Sequence, residues 1–200
     1  MSNRIERLLI LVLVLGAFWL RAFRLDVQSI WSDEGLSLFR ASQDLAEIPG
    51  LSAAGIHPPF YELLLHFWEI LVGRTEFSAR FLSVFFGVLA VAAFYQLGRS
   101  LISRWGTILA VLVATVAPFL VYYSQETRMY APALFFSMVS VVAAIRWLRG
   151  PRSWIWLACY IAAMAAAVYS HYYAWLITAF LNIFLLLRFW SQRRAGMAQL

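Results

Sequence analysis

The chain has little charge and almost no cysteine. Charged residues make up 13% of its 200 positions, against roughly 25% in an average soluble domain. Hydrophobic residues reach 63% and aromatic residues 17%. A soluble chain of this length has too little interior to enclose that much apolar surface, so a polytopic membrane protein is the expected class. The single cysteine, Cys159, lies inside an apolar run. One thiol excludes a disulfide framework and a thiolate-rich metal site, and packing accounts for it. The net charge of +6 comes with no nucleic-acid motif. The arginines that carry it sit between apolar runs, where membrane orientation explains them.

What the chain does have is a series of apolar runs at about 8–25, 58–72, 79–98, 105–123, 129–148, 154–169 and 172–190. A span needs roughly 20 residues, with about 17 as the lower limit. The run 58–72 falls short and contains Pro58, Pro59, Glu62, His66 and Glu69. If it does not cross, one membrane face receives Arg4, Arg7, Arg99, Arg104, Arg146, Arg149, Arg152, Arg188, Arg193 and Arg194, ten of the sixteen basic residues. Of the ten acidic residues only Glu6 joins them. By the positive-inside rule that face is cytoplasmic. Residues 8–20 of the first run read as the core of an uncleaved signal anchor, because Arg21 and Arg24 follow them directly and no small-x-small cleavage site precedes Asp26. The expected fold is therefore all-α: a six-span helical bundle with an external loop over 26–78.

Inside that loop, Glu62, His66 and Glu69 share one helical face, and apolar residues cover the rest. This predicts an amphipathic helix at the interface or against the bundle, starting at Pro58-Pro59. A second surface helix is predicted from Asp33 towards Glu47, on the helical spacing of Leu36, Phe39, Arg40 and Gln43. Pro49-Gly50 is read as its interruption and Ser52 to Gly55 as flexible loop. Pro118 and Pro132 mark the external ends of the third and fourth spans, either as breaks that turn backbone groups towards a cavity or as kinks absorbed by packing. Arg21 and Arg24 are expected to snorkel towards headgroups. Trp19, Trp31, Trp105, Tyr122, Trp154, Tyr173 and Trp190 form an ordinary aromatic belt.

Chemistry can be carried by few residues. Asp33 and Glu34 lie in Trp31-Ser32-Asp33-Glu34-Gly35, at the exit of the first run. A carboxylate there can take a proton from a hydroxyl or bind a divalent ion, or it can be a solvated loop charge. Adjacent helical residues do not share a face, so at most one of the two meets a ligand. Glu126, Arg128 and Tyr130 lie between the third and fourth spans. Arg128 is a donor suited to phosphate, or a partner for Glu126. His57 and His171 fall on the same external side, where an imidazole can donate to phosphate or simply cap a loop. No spacing among the three histidines is a metal motif. The cluster suits a phosphate-bearing lipid. A transporter would carry ionisable residues in the middles of its spans, and these spans have essentially none.

The order of several short motifs resembles the N-terminal part of the GT-C membrane glycosyltransferases, and most of all the bacterial branch related to protein O-mannosyltransferases and the aminoarabinose transferase of lipid A. The motifs are Trp31-Ser32-Asp33-Glu34-Gly35, His57-Pro58-Pro59-Phe60-Tyr61, Gly73-Arg74-Thr75-Glu76-Phe77-Ser78-Ala79-Arg80-Phe81, Tyr123 to Tyr130, and Tyr169-Ser170-His171-Tyr172-Tyr173. Together they cover nearly the whole chain. The resemblance implies inverting sugar transfer from a polyprenyl-phosphate carrier to an acceptor hydroxyl, at the extracytoplasmic face of a bacterial inner membrane. Asp33 matches the family's catalytic acidic residue in the first loop and Glu126 the second acidic position. Glu34, His57, Arg128, Tyr130 and His171 become candidate substrate contacts. A divalent cation, Mg or Mn, is left open, with Asp33 or Glu126 as its ligand. His57 stands where the lipid A branch has lysine, which argues against aminoarabinose specificity. Such enzymes continue well beyond this length, so parts that bind the acceptor are expected outside these residues. The other readings are a non-catalytic polyprenyl-lipid-binding module and a lipid carrier or flippase.

Overall fold

The computed structural model describes residues 3–150 and 153–197, and of residues 191–197 the backbone alone. Arg152 and the side chains of Arg193 and Arg194 therefore lie outside the described residues. The helices are α1 (Asn3–Ala22), α2 (Ser32–Ala41), α3 (Ile48–Ala54), α4 (Phe60–Val72), α5 (Glu76–Leu101), α6 (Arg104–Val116), α7 (Pro118–Tyr122), α8 (Tyr130–Arg149), α9 (Trp154–Ser170) and α10 (Ala174–Met197). No strand occurs among the described residues.

Two of these helices, α5 and α8, are long and apolar enough to cross a membrane, and α6, α9 and α10 contribute shorter apolar segments. With 26 residues, α5 is about 39 Å long. α8 packs along both α5 and α9, while α1 and α6 lie against α5. The packing is inverted relative to a soluble protein. Large apolar side chains such as Leu15, Trp19, Ile155 and Phe180 are more than half exposed, while Ala17, Ser83, Ser140 and Ala167 are fully enclosed. Small residues let helix backbones approach closely where lipid removes any hydrophobic drive between them. Gly98 is one such place: a Cβ there would come within 2.8 Å of Thr107 Cγ2. The surface of large apolar side chains and the apolar helices make this a membrane protein.

The two ends of the bundle differ. At one end Glu6 accepts from Arg104 at 2.9 Å and from the Tyr95 hydroxyl at 3.0 Å. Arg146 reaches Gln96, and Arg149 reaches the Ser100 carbonyl. At the other end lie α2, α3, α4, the 123–129 loop and the turn at 171–173.

Several expectations change here. Pro49 does not interrupt a helix but opens α3, standing in its first turn, where the missing N–H is harmless. Ser52 to Ala54 is thus helical, not loop. α2 is shorter than expected and ends at Ala41. The run 58–72 becomes the 13-residue α4, about 20 Å long and short of a roughly 30 Å hydrocarbon core. Its charged face points inward: Glu62 and Glu69 are 2% and 5% exposed, whereas Ile70 and Leu71 are 65% and 78% exposed. Arg21 does not snorkel, being 1% exposed.

Candidate active site

The site begins where α2 starts. The Trp31 N–H donates to Glu34 Oε2 at 3.4 Å, which places an acid in the first turn, where it meets the positive end of the helix dipole. Glu34 is fully buried. Arg80, near the start of α5, meets it with a fork: Nε donates to Oε1 at 2.9 Å and Nη2 to Oε2 at 2.7 Å. The Thr127 N–H donates to Oε1 at 2.8 Å. Arg80 also donates to the carbonyls of Leu25, Gln28 and Ser29 at 2.9, 2.6 and 3.2 Å. One ion pair thus ties α2, α5, the 25–29 connection and the 123–129 loop together. Burial acts to raise the Glu34 carboxyl, but the Arg80 fork and the two backbone N–H groups outweigh it and hold it below the usual value. Glu34 has no oxygen left for a ligand. The substrate contact that the resemblance implies for Glu34 would have to displace one of these donors.

Locking Glu34 inward turns its neighbour outward. The Asp33 side chain is 46% exposed, and its Oδ2 lies 3.4 Å from Arg128 Nη2. Arg128 is enclosed and donates through Nη1 to the Asp33 carbonyl at 3.2 Å and to Ser37 Oγ at 3.4 Å. Its Nε is buried without a partner. The guanidinium lies 5.9 Å from the centre of the Tyr130 ring, and that ring is 5.5 Å from His171. The Tyr173 N–H donates to His171 Nδ1 at 3.1 Å. A ring nitrogen that accepts carries no proton, so neutral His171 holds its proton on Nε2. Burial and the nearby Arg128 charge both favour that neutral form.

Tyr130, His171 and Tyr173 also line a groove of about 520 Å³, as do Arg21 and Ser124. Its walls are Ala90, Val91 and Phe94 of α5, Leu134 and Ser137 of α8, Phe119 and Leu120 of α7, and Ile177 of α10. The break between α6 and α7, at Ala117-Pro118, opens this wall.

Glu126 is 6% exposed. Burial pushes its carboxyl up, with Glu34 and Asp33 adding to the rise, while the Tyr122 hydroxyl and Arg128 act against it. His57 is half-buried. Burial lowers its pKa, and the charges of Arg128 and Arg40 lower it further. The preceding residue, Ile56, has φ +60° and is 77% exposed. A β-branched residue in the left-handed region is strained by about 1–2 kcal/mol. Beside it, a Cβ on Gly55 would fall 1.9 Å from Arg40 Nη2. Ile56→Gly should release the strain but lose about 0.5–1 kcal/mol to chain entropy. A net gain in melting temperature is the expected result.

Five of the residues singled out from the sequence thus converge: Asp33, Arg128, Tyr130, His171 and His57, with Glu126 behind them. His66 does not join, since its Nδ1 pairs with the Ala41 carbonyl at 2.8 Å. Among the described residues no three of His, Cys, Asp or Glu are grouped to hold a metal. Sequence reasoning gave no role to Arg80 or Ser37, nor to the enclosed pair Arg40–Glu62, 3.6 Å apart. The available signal was an arginine two residues inside an apolar run, which needs a partner. Burial raises the Glu62 carboxyl despite Arg40. Its ionised form is therefore penalised in the fold, and stability falls as pH rises from the unfolded pKa through the folded one. Glu62→Gln should hold or raise the melting temperature at pH 8, and should matter little in acid.

No curated protein and no solved structure matches the chain. A family model does, over residues 56–197. That stretch contains His57, Glu126, Arg128, Tyr130 and His171, and it begins beyond Asp33. The chain belongs to the dolichyl-phosphate-mannose-protein mannosyltransferase family, and so to the GT-C membrane glycosyltransferases that use polyprenyl-phosphate-sugar donors.

Proposed function

We propose that this chain moves a sugar, with inversion, from a polyprenyl-phosphate carrier to an acceptor hydroxyl. The observation that supports this most is the line running from the half-exposed Asp33 carboxylate, through Arg128 and Tyr130, to His171 in the lining of the apolar groove. The groove takes the first part of the prenyl tail and leaves the phosphate beside Tyr130 and His171. Arg128 and the His171 Nε2–H face that phosphate.

Asp33 takes the proton from the acceptor hydroxyl as its oxygen bonds to the sugar C1. The bond from C1 to the phosphate oxygen breaks on the opposite face. Phosphate leaves with the electron pair, and Arg128 offsets its growing charge. Glu126 orients the acceptor. Its raised pKa suits it to hold a proton that a hydroxyl can meet. A divalent cation is not needed in these steps, because the guanidinium supplies the positive charge.

The grouping of Arg99, Arg104, Arg146 and Arg149 at the far end supports an extracytoplasmic site in a cytoplasmic membrane. The experiment is transfer from a labelled polyprenyl-phosphate-sugar in liposomes containing the chain. Transfer to a hydroxyl acceptor with inverted anomeric configuration is expected. Donor binding without any transfer would support a lipid-binding module instead.

A further inference from the structure

The loop that carries Glu126 and Arg128 is held at Ser124, Gln125 and Thr127. Thr127 is tied to Glu34. The Gln125 amide donates to the carbonyls of Arg21 and Phe23, both at 3.2 Å. Ser124 is tied by Arg21, and this tie has a cause in the backbone.

α6 ends at a break. Ala117 still donates to the Val113 carbonyl at 2.8 Å, but Pro118 has no N–H to offer the Ala114 carbonyl, and α7 starts a new set of bonds. The carbonyls of Ala114 and Thr115 are thus left without helical donors inside an apolar bundle. Arg21 supplies them: Nη2 donates to Ala114 O at 3.0 Å and Nη1 to Thr115 O at 3.1 Å. Nη1 also donates to Ala17 O at 3.3 Å, and Nε to Ser124 Oγ at 3.2 Å. Ser124 in turn donates to Leu120 O at 2.6 Å. The guanidinium sits between the C-terminal ends of α1 and α6, whose partial negative charges accommodate it without a carboxylate. Only glycine fits opposite, since a Cβ on Gly87 would lie 2.2 Å from Ser124 Oγ.

We infer that Arg21 is a positioning residue for sugar transfer. It closes the backbone break that opens the groove and, through Ser124, sets where Glu126 and Arg128 stand relative to Asp33. This rests on the function proposed above. Lysine keeps the charge but cannot serve four acceptors from one nitrogen in the geometry of a planar fork.

The test uses the full chain in liposomes, with Arg21→Lys, Gly87→Ala and the double variant. Each single variant should lower kcat about tenfold or more, the scale of a small misplacement of reacting groups; Arg21 and Gly87 also line the groove, so the donor KM should rise too, but by a smaller factor than kcat falls. Because both act through Ser124, the double variant should be little worse than the poorer single one. Hydrogen exchange should quicken at the amides of 124–128 and stay unchanged in α8 and α9. Multiplicative losses in the double variant, or unchanged exchange at 124–128, would overturn the inference. A wild type that transfers no sugar would sink the proposed function, and the exchange measurement would still decide whether Arg21 holds the loop.

Discussion

Asp33→Asn should lower sugar transfer by about 10²–10⁴-fold, the usual contribution of a general base, and leave donor binding nearly intact. The amide matches the carboxylate in shape but cannot accept a proton from the acceptor hydroxyl. The fold should barely register the change. Asp33 is 46% exposed on its side chain, and its contact with Arg128 is a single one at 3.4 Å. The Arg128 end is enclosed, but the carboxylate end is open to water, and an asparagine Oδ1 can still accept from the guanidinium, so the cost should stay near about 1 kcal/mol. The Asp33 carbonyl, which also receives Arg128, is untouched by the substitution. Single-turnover transfer and a donor-binding titration on the same preparation separate the two effects. A variant that binds donor less tightly in proportion to its loss of rate would place Asp33 in binding, not in proton transfer.

Glu34→Gln, one residue along, should behave in the opposite way. It should cost about 3 kcal/mol of stability, the lower part of the range for breaking a buried pair, because Arg80 keeps its three carbonyl acceptors. The folded Glu34 carboxyl is held below its usual value, so its contribution is present above the unfolded pKa and is lost as pH falls through the folded one. The gap in melting temperature between wild type and Glu34→Gln should therefore be full at neutral pH and close in acid. Glu62→Gln, the same chemical change on a group shifted upward, should show no such loss. Thermal unfolding in detergent across pH compares the three proteins directly. An equal loss from both glutamine variants would contradict the assignment of Glu34 as the buried tie.

How much of this was legible in the sequence differs by residue. Asp33 could be found because its place, at the exit of an apolar run and before a glycine, is local information. The position of Pro118 near the end of its span is local information too, but whether it breaks the helix or only kinks it stays open in the sequence. The statement that at most one of Asp33 and Glu34 meets a ligand followed from helix geometry, but which one did not. That choice is made by Arg80, 46 residues away, and nothing near Glu34 announces it. Arg21 has the sequence position of a snorkelling side chain, and its α6 acceptors lie more than 90 residues on, where local pattern does not show them. α4 was correctly seen as amphipathic, yet periodicity alone does not say which face turns inward. At a lipid boundary the charged face is the one that packs, and Glu62 and Glu69 do so. Pro49 looks like a breaker in the sequence because proline stops a helix in its interior, whereas at a first turn it begins one.

The most direct test of the central claim, that the apolar groove and Asp33 form one site for a lipid-linked sugar, is photo-crosslinking. The probe is a polyprenyl-phosphate-sugar with a diazirine on its first prenyl unit, used on the chain in liposomes with the labelled peptides mapped. Labels on Gly87 to Phe94, Phe119 to Ser124 and Ala131 to Ser137, displaced by unlabelled polyprenyl phosphate, are expected from the groove's walls. Labels spread instead over the outward faces of α1 and α10, around Leu15, Trp19 and Phe180, and not displaced by competitor, would show that the groove does not hold the carrier.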